Sequence, residues 1–112
     1  MPQIRTATIT AGSSTSNTIA VIGKNIEYEI GSIIMKSGQS YSNSNYTFQA
    51  EIDGVWYDIF DTFGILYTVA KDVGKKSLPA DVFKDVNYIR VKGGAPEVSD
   101  SEFIFLLIDI LN

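Results

Sequence analysis

The stretch YTFQAEIDGVWYDIF, residues 46–60, consists of two runs of alternating apolar and polar residues on either side of Asp53-Gly54. Alternation with a period of two predicts β-strands, because successive strand side chains point to opposite faces. An Asp-Gly pair between two such runs predicts a hairpin with a two-residue turn, since these residues tolerate the positive φ angles of a type I′ turn. The stretch therefore predicts antiparallel β-structure.

The length of the turn decides which face of the hairpin carries the only tryptophan. A two-residue turn places Ile52 opposite Val55, and the apolar face to which they belong joins the core. Glu51 then lies opposite Trp56 on the other face, where Trp56 is a candidate contact residue. A three-residue turn with a bulge shifts the register by one and turns Trp56 inward together with Asp58. We favour the two-residue turn, because burying an unpaired carboxylate is costly.

The rest of the chain repeats this pattern of short apolar runs between clusters of Gly, Ser, Asn and Asp. The runs predict about eight strands, at residues 4–10, 17–22, 26–36, 46–53, 55–60, 65–70, 86–93 and 102–111. LPADVFKDV, residues 78–86, predicts one helical turn that closes an end of the structure. We expect a single domain, residues 1–112, with an all-β fold: an antiparallel β-sandwich of jelly-roll type.

The last predicted strand is apolar on both faces, which is unusual for a strand with only one covered side. One face consists of Ile104, Leu106, Ile108 and Ile110. The other face, interrupted only by Asp109, consists of Phe103, Phe105, Leu107 and Leu111. We expect this second face to bind another copy of the chain. The alternative is a central strand whose second face lies under the 71–85 connection.

Composition excludes several classes of function. Cysteine and histidine are both absent, which removes disulfides, a thiol nucleophile and the commonest general base near neutral pH. A net charge of −4 argues against nucleic acid or an anionic membrane surface as partner. The apolar run at 103–111 is too short to span a bilayer as a helix, and MPQIRTATIT lacks a signal-peptide pattern. These features predict a soluble protein.

No motif in the chain indicates an enzyme, a cofactor or a metal site. The carboxylates that cluster near the hairpin are Glu51, Asp53, Asp58 and Asp61. We interpret them as solvated turn and surface residues, because they lack the spacing of a calcium loop. Exposed aromatic residues are the one feature that fits glycan binding. The candidates are Trp56, Tyr41, Tyr46 and Tyr67, of which Tyr41 within GQSYSNSN (38–45) is the best loop candidate.

A series of short motifs runs through residues 6–93. It begins with a Thr/Ser-rich first strand and turn, TATITAGSSTSNTIAVIGKNI (6–26), and continues with Thr47-Phe48-Gln49 with Asp53-Gly54, then Tyr67-Thr68-Val69, Pro79-Ala80 with Phe83, and Tyr88-Ile89-Arg90. In this order they resemble small β-sandwich proteins encoded among the virion genes of tailed bacteriophages. The chain departs from that pattern in a hairpin that is one residue shorter after Gly54 and in a more apolar tail.

The resemblance implies a non-enzymatic cement or decoration protein on the capsid surface of a virion, assembled in the host cytoplasm. Its partners are then the major capsid protein and further copies of the chain, as a homodimer or homotrimer. We expect Trp56, Tyr41 and Glu51, with the 37–45 loop, to contact the partner. The alternatives are a glycan-binding module of a phage fibre or spike and a head–tail adaptor component.

Overall fold

The computed structural model describes residues 3–23 and 26–109 of the chain. A single helical turn, α1 (Ala80–Phe83), accompanies the strands. The strands are β1 (Gln3–Ile9), β2 (Ile19–Ala20), β3 (Ile22–Gly23), β4 (Ile26–Met35), β5 (Asn45–Ile52), β6 (Val55–Asp58), β7 (Val69–Ala70), β8 (Gly74–Ser77), β9 (Tyr88–Gly93) and β10 (Ser101–Asp109).

The strands form two antiparallel sheets that pack face to face. The first sheet has the order β1-β10-β4-β8, and β3 pairs with another part of β4. The second has the order β2-β9-β5-β6, and β7 pairs with another part of β5. Without the short additions β3 and β7, this is the strand order of a jelly roll. The prediction of an all-β antiparallel sandwich is confirmed.

Aromatic side chains from the inner faces of both sheets fill the core. The ring centres of Tyr46 and Phe103 lie 4.9 Å apart, and those of Phe48 and Phe105 lie 6.1 Å apart. The predicted helical turn is present as α1, whose Phe83 packs edge-on against Phe48 with ring centres 5.3 Å apart. The aromatic contacts therefore join β5, β10 and α1 across the sandwich.

Strand β10 lies in the middle of the first sheet and points three side chains into the core: Phe103, Phe105 and Leu107. Each of them is 0% exposed. The expectation that they bind a second copy is wrong, because they already pack against the opposite sheet of their own chain. Leu111 lies outside the described residues. The outward face of β10 carries Ile104, Leu106 and Ile108, of which Ile108 is 53% exposed.

The β5–β6 hairpin has the two-residue turn that the sequence predicts. Asp53 and Gly54 have φ angles of 51° and 82°, and Glu51 pairs with Trp56. The favoured register is confirmed, and Trp56 lies on the outer face of the second sheet. The inner face does not join the core along its whole length, since Ile52 is 59% exposed. The end of the hairpin therefore lies beyond the cover of the opposite sheet.

Three segments differ from the sequence-based prediction. The strand expected at 17–22 is divided into β2 and β3, which belong to different sheets. The strand expected at 65–70 is reduced to β7, because the chain before it forms a separate hairpin described below. The linker expected at 71–76 contains the start of β8, which pairs with β4 between Lys75 and Ile34. Lysine-rich edge strands lack apolar alternation, which is why the pattern did not reveal β8.

Candidate interaction surfaces

Trp56 lies on the outer face of the second sheet, where Arg90 covers its ring. The guanidinium carbon of Arg90 is 4.2 Å from the ring centre, a cation–π contact. Arg90 Nε donates to Gln49 Oε1 at 2.8 Å, and Gln49 Nε2 donates to Asp58 Oδ1 at 2.8 Å. Glu51, opposite Trp56, is half-buried as Trp56 is. Only the side of the tryptophan away from Arg90 remains for a partner.

Tyr41 is buried, with 6% of its surface exposed. Its hydroxyl donates to the Glu102 carbonyl oxygen at 2.5 Å and accepts a hydrogen bond from the Lys36 backbone N–H at 2.9 Å. Its ring packs 5.1 Å from that of Phe103, and burial raises the pKa of the Tyr41 hydroxyl. The prediction that Tyr41 contacts a partner is therefore wrong, because this side chain anchors its loop to the core.

Glu97 is a buried carboxylate, 2% exposed, in a segment that the sequence shows only as a polar connection. Its Oε1 accepts hydrogen bonds from the Ser42 N–H at 2.9 Å and the Ser101 hydroxyl at 2.6 Å. Its Oε2 accepts from Asn43 Nδ2 at 2.6 Å and the Tyr46 hydroxyl at 2.9 Å. We call these five residues the carboxylate clamp. It joins the 37–45 loop, β5 and the connection before β10.

The clamp holds both of its ionisable groups in the form that the hydrogen bonds require. Burial alone raises the pKa of Glu97, but hydrogen bonds from Ser101, Ser42, Tyr46 and Asn43 outweigh it and lower the pKa below the ordinary 4.5. Burial and the bond to Glu97 raise the pKa of the Tyr46 hydroxyl to about 12. Ionised Glu97 accepts and neutral Tyr46 donates at neutral pH, which is the arrangement of a structural tie.

The chain between β6 and β7 leaves the edge of the second sheet as a small hairpin, which we call the lateral hairpin (residues 59–67). The Tyr67 N–H donates to the Ile59 carbonyl oxygen at 3.0 Å and closes its base. Asp61 Oδ1 accepts hydrogen bonds from two backbone N–H groups of the tip at 2.9 and 3.0 Å. These bonds order a tip whose Phe63 is 87% exposed.

The largest group of exposed apolar side chains lies on the β5–β6 hairpin and on the lateral hairpin. Exposed apolar side chains on neighbouring chain segments are candidates for an interaction site. We call this set the open edge, and its members with their exposed fractions are Ile52 (59%), Val55 (50%), Tyr57 (53%), Phe60 (52%), Phe63 (87%) and Ile65 (63%). The outer face of the first sheet carries a smaller set, in which Ile4 is 63% and Ile108 is 53% exposed.

Several clefts lie at the end of the sandwich that contains the hairpin turn, and two of them are larger than the others described. One, of about 360 Å³, lies between Tyr28 and α1. The other, of about 450 Å³, lies between the Asp53 turn and Tyr88. Carboxylates line both clefts. No group of three or more His, Cys, Asp or Glu residues that could hold a metal ion occurs in residues 3–23 and 26–109.

No protein-family model, no curated protein and no solved structure matches the chain. In the part of the chain that the structure describes, no helix is long and apolar enough to cross a membrane.

Proposed function

We propose that the protein is a non-enzymatic structural protein of a bacteriophage virion. As a capsid cement or decoration protein it attaches to the major capsid protein on the outer surface of the head. The observation that carries this proposal is the open edge, whose apolar side chains are all at least half exposed. A surface of this kind binds by removing apolar area from water and requires no catalytic group.

The fold and the sequence motifs support a role in the virion. Jelly rolls occur in viral capsid domains and in lectins. Because one fold serves many functions, the fold alone does not decide between them. The resemblance of the Thr47–Gln49, Tyr67–Val69 and Tyr88–Arg90 motifs to phage virion proteins favours the capsid. The buried clamp and the aromatic core supply the rigid body that a cement protein needs.

Attachment to a lattice explains how a small surface is sufficient. A capsid repeats the same binding site many times, so copies that associate with one another bind several sites at once. The second contact then benefits from a high effective concentration, and weak single contacts combine into stable attachment. Self-association in the host cytoplasm, as a dimer or trimer, is therefore part of the proposal.

Co-sedimentation with empty heads tests the attachment. The heads are assembled from the major capsid protein encoded with this chain, and the purified protein is added in excess. We expect the wild-type protein to sediment with the heads to saturation. We expect Phe63→Ser to bind at least tenfold more weakly, because it weakens the association of copies through the open edge and with it the multivalent attachment. Val98→Ser is the matched control, since Val98 is 85% exposed and does not belong to the open edge.

Two results would overturn the proposal: wild-type protein that stays in the supernatant at saturating concentration, or equal loss of binding in both variants. The glycan-binding and adaptor functions stay predictions. Glycan binding has less support than it had from sequence, because Tyr41 is buried and Arg90 covers one side of Trp56. An adaptor forms large rings, which light scattering separates from dimers and trimers.

A further inference from the structure

The edges of the two sheets differ in how well they are protected against pairing with another chain. Natural edge strands are shortened, carry lysine or turn a charged residue inward. Strands β2, β3 and β7 are two residues long, and β8 carries Lys75 and Lys76. Strand β1 turns Arg5 toward the inner side, where its guanidinium carbon lies 5.7 Å from the Tyr28 ring centre.

Strand β6 is four residues long and has neither a lysine nor an inward-pointing charge. Its sequence is Val-Trp-Tyr-Asp, and in the described residues it pairs with β5 alone. Its one charged side chain, Asp58, accepts a hydrogen bond from Gln49 on the outer face at 2.8 Å. The flanking apolar side chains Val55 and Tyr57 are 50% and 53% exposed. This edge is therefore the one that remains suited to strand pairing.

The hairpin register determines which backbone groups of β6 point away from β5. In a two-residue hairpin the residues next to the turn, Ile52 and Val55, exchange hydrogen bonds, and every second pair after them does the same. The Ile59 N–H accordingly donates to the Phe48 carbonyl oxygen at 3.0 Å. The backbone N–H and C=O groups of the alternate residues, Trp56 and Asp58, point outward.

We propose that two copies of the chain pair antiparallel along β6, about a two-fold axis at Tyr57. In this register Trp56 of each copy lies opposite Asp58 of the other, and both exchange backbone hydrogen bonds. All the outward backbone groups of the strand are then used. A register centred on Asp58 places two carboxylates opposite each other, which is unfavourable. The second sheets of the two copies become one continuous sheet.

The same pairing brings the exposed apolar side chains of the open edge together. Because the two strands run in opposite directions, the hairpin turn of one copy lies beside the lateral hairpin of the other. Val55 of each copy then lies opposite Ile59 of the other, and the tip of the lateral hairpin, which carries the exposed Phe63, lies beside the turn of the other copy. The partner is a second copy because this edge is complementary to itself in backbone groups and in apolar surface.

Charge reversal at the two-fold axis tests the proposal on the purified protein by size-exclusion chromatography with light scattering. We expect the wild type to have the mass of two chains. Tyr57→Lys and Tyr57→Glu should each have the mass of one chain, because each places like charges opposite each other. An equimolar mixture of the two variants should recover the mass of two chains, because the charges then attract. Val98→Lys, at an exposed position outside β6 and the open edge, should behave as the wild type.

The proposal is overturned if the wild type has the mass of one chain at every concentration, or if the variant mixture does not associate. It is also overturned if Ile108→Lys dissociates the dimer and Tyr57→Lys does not, because the outer face of the first sheet is then the interface. Circular dichroism confirms that each variant is folded. This inference deepens the proposed function and rests on its self-association, whereas attachment to heads fails or succeeds separately in the co-sedimentation.

Discussion

The two ends of strand β5 differ in whether the chain itself provides partners for their side chains. At its first end, Tyr46 and the neighbouring loop donate their hydrogen bonds to the buried Glu97 carboxylate. At its other end, Ile52 and the hairpin beyond it leave apolar side chains in water. The polar groups of the first end have all their hydrogen-bond partners within one chain. The apolar side chains of the other end leave water only when another molecule covers them. The comparison separates what stabilises the fold from what is available for association.

The difference has a physical basis in how costly each group is to leave unpaired. A buried carboxylate without partners is strongly destabilising, so a chain that buries one must satisfy it within the fold. An exposed isoleucine or phenylalanine destabilises little by itself, so evolution can retain it where a partner binds. Variants at the two ends of β5 should therefore affect different measurements: stability at the clamp and association at the open edge.

The largest expected loss of stability comes from a substitution in the core, which supports both ends of β5. Phe105→Ala should lower the free energy of unfolding by about 4 kcal/mol, because it removes a fully buried ring and leaves a cavity. Urea denaturation followed by circular dichroism measures this. Ile108→Ala, on the outward face of the same strand, is the control and should cost far less. If Phe105→Ala instead leaves stability unchanged and only separates copies, the assignment of the two faces of β10 is wrong.

The next effect separates the two ends of β5 directly. Glu97→Gln should lower the free energy of unfolding by about 3 kcal/mol, since the amide nitrogen faces groups that donate hydrogen bonds and leaves them unsatisfied. The matched control is Glu51→Gln, the same change at the half-buried position near the hairpin. It should alter stability within about 0.5 kcal/mol. Equal losses of unfolding free energy in the two variants would show that the hydrogen bonds of the clamp do not stabilise the fold.

The clamp should also give stability a defined pH dependence. The pKa of Glu97 is lower in the folded chain than the ordinary 4.5, so its contribution is complete above that value and is lost as pH falls through the folded pKa. The pKa of Tyr46 is raised from 10.0 to about 12, so its contribution is complete below 10.0 and is lost as pH rises toward 12. Urea midpoints across pH measure both.

Substitutions in the clamp serve as controls for the pH dependence. Glu97→Gln should flatten the acid loss of stability, and Tyr46→Phe should flatten the alkaline loss, because each removes the titrating group. An acid limb that is unchanged in Glu97→Gln would assign it to other carboxylates of the chain.

The smallest effect on stability is expected at the tip of the lateral hairpin. Phe63→Ser should change the free energy of unfolding by less than about 0.5 kcal/mol, because Phe63 is 87% exposed. Phe83→Ser provides the contrast. Phe83 is 2% exposed, so this variant should be strongly destabilised. Thermal unfolding of both variants measures the difference. A loss above about 1 kcal/mol in Phe63→Ser would mean that the ring supports the fold.

The register of the β5–β6 hairpin was predictable from sequence because its structure is local. The Asp53-Gly54 turn fixes the hairpin register through backbone angles alone, and the register places Trp56 on the outer face. The exposure of Ile52 was not predictable. It depends on where the opposite sheet ends, and strand alternation carries no information about that.

The core face of β10 and the clamp depend on contacts between distant segments. Both faces of β10 are apolar, so alternation cannot show which face points inward. Phe105 is on the inner face because its ring packs against Phe48 of the opposite sheet. Glu97 reads as an ordinary residue of a polar connection. Its burial becomes evident only when the fold brings Ser42 and Tyr46 to the same place from more than fifty residues away. Isolated motifs do not reveal hydrogen bonds between residues that are far apart in the sequence.

Residue-level amide exchange over a series of protein concentrations tests most directly whether the open edge is completed by a second copy. Exchange at Trp56 and Asp58 should slow as concentration rises, because their N–H groups become hydrogen-bonded across the pair. Exchange at Ser42, whose N–H donates to Glu97, should be slow at every concentration. Exchange at Trp56 and Asp58 that does not change with concentration would contradict the account.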